Sequence, residues 1–210
     1  MKRKDIDYSL YLVTDRRWLE GKSLECAVEE AIQGGATIVQ LREKEISSRE
    51  YLEIAMRIKE VTDRYTVPLV INDRIDIAFA CGAAGVHLGS DDLPVPAARA
   101  ILGTEKIIGA SAATLEEALA LEGQGADYLG SGAVFPTGTK TDADKVTLAE
   151  LAGIKAAVKI PVIAIGGIDA ENVAAVMKTG VDGVAIVSAI MAQKDIGGAA
   201  RNIFRILKKL

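Results

Sequence analysis

Four short stretches repeat one device: GGAT at residues 34–37, CGAAGV at 81–86, GQGADY at 123–128 and KTGVDGV at 178–184. In each, an amphipathic segment stops at glycine and an apolar run follows almost at once. Glycine ends helices because it adopts the left-handed backbone that a helix C-terminus favours. A joint of this kind, used repeatedly, makes a helix-then-strand unit the module of the chain.

Reading outward from these joints gives eight apolar runs: 10–15, 37–42, 68–73, 85–89, 106–112, 127–135, 161–167 and 183–188. Their lengths and their Val and Ile content suit strands. Between them lie helical patterns such as SLECAVEEAIQGG and SSREYLEIAMRIKEVTDRY, the second opening on serines fit for N-capping. TLEEALALEGQG, TLAELAGIKAAV and DAENVAAVMKTG follow the same plan, each opening on Thr or Asp. Continuous apolar strands alternating with helices imply a parallel sheet covered on both faces. An open doubly wound sheet competes with a closed (β/α)8 TIM barrel, and eight units within 210 residues favour the barrel. The chain therefore reads as one α/β domain spanning residues 1–210.

Composition narrows the function. Half the residues are hydrophobic and the formal net charge is −4, which argues against a general nucleic-acid surface. An anion bound here would need local cations. No apolar run reaches the roughly 18 residues of a membrane span. The basic start MKRKDIDYSLYLV is too soon interrupted by acids for a signal peptide. Cys26 and Cys81 fall in apolar helical stretches and read as small buried hydrophobes, so a reduced, cytoplasmic location is expected.

A barrel keeps its chemistry at the C-terminal ends of the strands. Those ends carry Thr14-Asp15, then Gln40-Leu41-Arg42-Glu43-Lys44, then Asn72-Asp73. His87 leads to Gly89-Ser90-Asp91-Asp92, and Ser111 follows the fifth strand. The loop Pro136-Thr137-Gly138-Thr139-Lys140 leaves the sixth and suits a closing lid over 136–145. Gly166-Gly167 after the seventh strand and Val187-Ser188 after the eighth fit a phosphate cup. Asp73 and an acid of the 91–92 pair, from neighbouring strand ends, can supply oxygens to one Mg2+. Alternation does not decide between Asp91 and Asp92. His87, inside a strand, is expected to be a hydrogen-bonded structural residue.

With these ends assembled, the chain resembles the thiamine-phosphate synthase family over essentially its whole length. The carriers are YLVTD (11–15), VQLREK (39–44), INDR (71–74), GVHLGSDD (85–92), GASAAT (109–114), FPTGTK (135–140), AIGGI (164–168) and VSAI (187–190). The resemblance implies condensation of an aminopyrimidine-methyl pyrophosphate with a thiazole phosphate, releasing pyrophosphate by a dissociative route. It implies that Gln40, Arg42 and Lys44 meet the pyrimidine pyrophosphate within a contact run that includes Leu41 and Glu43, with Asn72 nearby. The Glu43 side chain is expected to turn away and pair locally. Ser111 is similar to the residue near the pyrimidine, and Lys140 to a second pyrophosphate clamp. Catalytic roles thus fall to Arg42, Lys44, Lys140 and Ser111.

Thr137 and Thr139, with Gly138 between them, resemble contacts to the thiazole phosphate, and Gly167, Val187 and Ser188 its phosphate cup. Asp73 and Asp92 are similar to the family's Mg2+ ligands. Two departures stand out: Ser90 where members often carry Gln, and Ala113 where they often carry His. They imply altered substrate contacts. A thiazole tautomerase on the same barrel would want a histidine after the fifth strand, where this chain has Ser111-Ala112-Ala113. A barrel that only binds a phosphorylated ligand would leave the acidic pair without a purpose. Whether copies associate as a homo-oligomer is left open.

Overall fold

The computed structural model describes residues 6–138 and 145–210. Eight strands close into a barrel in chain order: β1 (Leu10–Val13), β2 (Ile38–Leu41), β3 (Leu69–Asn72), β4 (Gly85–Leu88), β5 (Ile107–Ser111), β6 (Tyr128–Ser131), β7 (Val162–Ile165) and β8 (Gly183–Ile186). Every pairing is parallel, and β1 closes against β8 through Tyr11 opposite Ala185. Between the strands run α1 (Leu24–Gln33), α2 (Ser48–Arg64), α3 (Ile75–Ala80), α4 (Val95–Leu102), α5 (Leu115–Gly123), α6 (Leu148–Ala157) and α7 (Val173–Met177). The short α8 (Ser188–Met191) and the terminal α9 (Ile196–Leu207) follow β8. The barrel and all eight strands are those the sequence predicts. No helix among the described residues is long and apolar enough to cross a membrane.

The expected caps form where a hydroxyl precedes the first turn. Ser23 and Ser47 accept from Cys26 N and Glu50 N at 3.2 Å each. Thr114 and Thr147 form reciprocal capping boxes with Glu117 and Glu150. Asp169 differs: it accepts from Glu171 N and Asn172 N within a turn, and α7 begins only at Val173. Cys81 is buried as expected, but Cys26 is exposed, because α1 turns Leu24, Ala27 and Val28 inward instead.

Strand side chains alternate between two apolar layers. Leu10, Leu12, Val39, Leu41, Leu69 and Ile71 point outward, into the large core shared with the helices. Tyr11, Val13, Ile38, Val70, Ile107, Tyr128 and Ile163 fill the barrel interior. Tyr128 is fully buried there, its ring centroid 5.0 Å from that of Tyr8 and 5.9 Å from that of Tyr11. The neighbouring strand makes room: a Cβ at Gly109 would sit 2.0 Å from Tyr128 Cζ.

Gly109→Ala should therefore destabilise the protein by about 1–3 kcal/mol through overpacking. Gly123→Ala, at a helical site with nothing within 4 Å of the added carbon, should instead be neutral or stabilise by up to about 1 kcal/mol. Urea unfolding midpoints of the two variants check the contrast.

Candidate active site

The same alternation decides which rim residues face inward. Along the end of β2, Gln40, Arg42 and Lys44 line a cavity of about 620 Å3 at the C-terminal mouth of the barrel. The side chains of Leu41 and Glu43, taken above as part of the contact run, do not. Leu41 is fully buried in the outer core. Glu43 turns back to Arg16, whose Nε donates to Oε2 at 2.9 Å. Burial raises the Glu43 carboxyl above its ordinary range, with Arg16 opposing, and its Oε1 has no hydrogen-bond partner.

Backbone clips hold the charged turn. Arg42 N donates to Thr14 Oγ1 at 3.0 Å, and Tyr51 of α2 donates its hydroxyl to the carbonyls of Leu41 and Asn72 at 2.8 and 3.2 Å. Tyr51, which joins the ends of β2 and β3 from outside, gave no signal in the sequence beyond an apolar helix position. Among the described residues the Arg42 guanidinium makes no ion pair, although it is partly buried. It is thus a cation available to an anionic ligand.

Asp73 and Asp92 meet across the mouth, as the pairing of neighbouring strand ends predicts. Asp73 holds a left-handed backbone (φ 63°), its N–H donating to His87 O at 2.8 Å, and Lys44 Nζ reaches Asp73 Oδ2 at 2.5 Å. Such a backbone is costly for most side chains and tolerated by Asp and Asn. Gly89 N donates to Asp92 Oδ2 at 2.7 Å. Burial pushes the Asp92 carboxyl above the usual range; the Gly89 N–H and Lys44 oppose this, while the adjoining Asp73 carboxyl adds to it. Asp91 also lines the cavity. Two adjoining carboxylates, one of them paired with Lys44, form an oxygen donor set that fits a small hard cation. No group of three or more His, Cys, Asp or Glu among the described residues is placed to hold a metal ion, so an ion on this pair would draw its remaining oxygens from water and ligand.

On the far side of the mouth lie Thr137, Gly166, Gly167, Val187 and Ser188. Gly166 and Gly167 both have positive φ, 101° and 61°, and a Cβ on Gly167 would meet Pro136 O at 2.6 Å. The segment after β6 runs across this turn, Val134 N donating to Ile165 O and Phe135 N to Gly166 O at 3.0 Å each. That continuation of the strand ladder sets Thr137 beside the glycine pair. Gly138 is exposed and does not line the cavity. Thr139 and Lys140, and most of the lid predicted over 136–145, lie outside the described residues.

The floor of the cavity carries polar groups among apolar ones such as Val13 and Ile163. Gln40, Tyr11, His87, Ser111 and Tyr128 all contribute to it. His87 has the hydrogen-bond partners expected of a structural histidine, Tyr128 on Nδ1 and Ser111 on Nε2. The two tyrosines were read only as strand residues, and their inward facing follows from the register.

A closed parallel barrel whose polar mouth gathers cations and carboxylates on one side and a glycine turn on the other has the form of a barrel enzyme with its site at the strand ends. Comparison with known proteins narrows this. Residues 10–190 match the family described as thiamine monophosphate synthase. The thiamine-phosphate synthase of Clostridium acetobutylicum is 53% identical over 98% of each chain. That of Clostridium novyi is 54% identical over 96% of this chain and 100% of its own. The solved thiamine phosphate pyrophosphorylase of Pyrococcus furiosus superposes with a TM-score of 0.91 at 44% identity, covering 97% of both chains. The chain belongs to the thiamine monophosphate synthase family and is a transferase.

Beside this rim, Asp15 caps the turn Arg16–Trp18 and is bound by Arg17 Nε at 3.0 Å. Burial alone would raise its carboxyl, but the Arg17 side chain and N–H, with Arg42 nearby, outweigh it and hold it below the usual range. A depressed acid stabilises the fold above its unfolded pKa, and that stability is lost as pH falls through the folded value. Asp15→Asn should cost about 1 kcal/mol at pH 7, an effect that shrinks towards nothing in strong acid. Thermal unfolding of both proteins across that range measures it.

Proposed function

We propose that the cavity joins an aminopyrimidine-methyl pyrophosphate to a thiazole phosphate (hydroxyethylthiazole phosphate or its carboxylated form), giving thiamine phosphate and pyrophosphate with Mg2+ as cofactor. The observation that carries this reading is the pairing of two unlike anion sites on one mouth. Arg42, Lys44 and the Asp73–Asp92 pair stand on one side, and the Gly166-Gly167 turn with Val187-Ser188 on the other. The first suits a metal-bound pyrophosphate, because carboxylates alone would repel it and a cation on them reverses that. The second suits a monophosphate held by backbone groups and hydroxyls.

In this reading Arg42 offers its planar fork to paired phosphate oxygens, and Lys44 acts as a point charge. Asn72 lines the same cavity, and Gln40 and Ser111 hold the pyrimidine. When bound, Mg2+ supplies positive charge against the leaving pyrophosphate. The C–O bond to pyrophosphate breaks first, both electrons leaving with oxygen. The methyl cation that remains is stabilised by the aminopyrimidine ring, and the thiazole nitrogen captures it. Such a course needs charge stabilisation more than a strong base, and Asp73 of this mouth is already paired with Lys44. Lys140 and Thr139 join the two anion sites by resemblance to the family. The two unpaired cysteines are in keeping with a cytoplasmic enzyme.

Incubation with both phosphorylated substrates and Mg2+ should yield pyrophosphate and thiamine phosphate in equal amounts. Absence of product, or product formation indifferent to chelation of the metal, overturns the proposal. Asp73→Asn, which tolerates the left-handed backbone, should lower kcat by about a hundredfold or more, the scale of losing one preorganised charge contact. Its thermal midpoint should stay within a few degrees of the parent, and full activity at limiting Mg2+ would refute the assignment.

A further inference from the structure

A line of hydrogen bonds crosses the barrel beneath the cavity. Gln40 Nε2 lies 3.1 Å from the Tyr11 hydroxyl, which is 2.8 Å from that of Tyr128. The Tyr128 hydroxyl is 3.0 Å from His87 Nδ1, and His87 Nε2 is 3.1 Å from Ser111 Oγ. Tyr11 and Tyr128 are fully buried, and burial pushes both phenols far above their ordinary range, so each keeps its single proton. Gln40 and Ser111, the two ends, both line the cavity.

The direction of such a chain is collective. A phenol that accepts at its oxygen has one proton to pass on, and a neutral imidazole donates from only one nitrogen. With Gln40 Nε2 donating to Tyr11, Tyr11 donates to Tyr128 and Tyr128 to His87 Nδ1. The imidazole then carries its proton on Nε2 and donates to Ser111 Oγ. Ser111, its oxygen already used as an acceptor, has its own proton left for the cavity. At the opposite end the Gln40 amide has given its nitrogen to Tyr11 and keeps Oε1 for a ligand. A reversed chain would turn Gln40 into a donor, place the imidazole proton on Nδ1 and make Ser111 an acceptor. The two ends are thus linked through residues that need not touch the ligand.

We propose that Tyr11, Tyr128 and His87 are positioning residues that fix Gln40 as an acceptor and Ser111 as a donor. The floor thereby selects a ligand edge with an N–H donor and an unprotonated ring nitrogen, the pattern of a neutral aminopyrimidine. The ligand's identity rests on the function proposed above; the direction of the chain does not. A ring protonated on that nitrogen would set N–H against O–H at Ser111 and be disfavoured.

His87 is the only histidine of the 210 residues, so nitrogen NMR of the 15N-labelled full chain reports its tautomer without ambiguity. At neutral pH the ring should carry its proton on Nε2, with Nδ1 unprotonated. An Nδ1–H tautomer or a doubly protonated ring overturns the proposal, whether or not any variant folds. Tyr128→Phe removes two links at once, and the ring should lose its single tautomer. The KM for the aminopyrimidine substrate should rise about three- to tenfold, the scale of one neutral hydrogen bond. The KM for thiazole phosphate, whose proposed cup lies on the other side of the mouth, should change less than about twofold. An unchanged tautomer in the variant, or equal rises in both KM values, refutes the positioning role. A parent enzyme that turns over neither substrate counts against the proposed function instead, because the spectrum requires no substrate.

Discussion

The axis of an eight-stranded parallel barrel has room for few large side chains, and Tyr128 takes much of it. The consequences run through the molecule. β5 must present glycine at 109, and Gly130, two residues along β6, leaves the space that His87 approaches, since a Cβ there would lie 3.0 Å from the imidazole Cε1. A buried phenol also needs partners for its hydroxyl. Tyr11 and His87 supply them, from β1 and β4. An interior packed only with Val and Ile would have filled the same volume and left the mouth with an apolar floor. The tyrosine makes the floor polar while keeping the interior closed.

Charge is organised on a smaller scale than the whole chain. A net charge of −4 would repel a polyanion at long range. The short-range arrangement reverses this at the mouth, where Glu43 is withdrawn to Arg16 and Asp73 is bound to Lys44. Arg42 is held by its backbone rather than by a carboxylate, which leaves its guanidinium uncommitted among the described residues. The Asp92 carboxyl is raised by burial and by Asp73, against the pull of the Gly89 N–H and Lys44.

Much of this was legible in the sequence because barrels translate strand order directly into rim position. Eight apolar runs and the repeated glycine joints were enough for the fold, and the strand ends named the cavity residues Gln40, Arg42, Lys44, Asn72, Asp73, Asp92, Ser111 and Ser188. The run Gln40 to Lys44 entered as one contact stretch with Glu43 expected to turn away, and the period of two sends the side chains of both Leu41 and Glu43 outward, Glu43 pairing with Arg16. The same period, applied from Gln40 as an inward residue, would have separated them. Other features were beyond reach for a different reason. Tyr51 clips two strand ends from a helix, and Tyr11 meets Tyr128 across the barrel. Such contacts depend on register between distant segments, which local pattern does not encode.

The commitments of the titratable groups bear on what kind of chemistry the mouth can host. His87, which would be the natural proton carrier near pH 7, has both ring nitrogens tied to Tyr128 and Ser111. Asp73 is tied to Lys44, and Asp92 to Gly89 N and its neighbour. A reaction that required one of these groups to take a proton and return it would have to break the framework that positions the rest. A reaction limited by separation of charge makes the opposite demand, for fixed dipoles and ions that do not reorganise as the bond breaks. The hydrogen-bonded floor and the paired rim meet that demand together. That shared rigidity is the physical link between the polar barrel interior and the dissociative transfer proposed for its mouth.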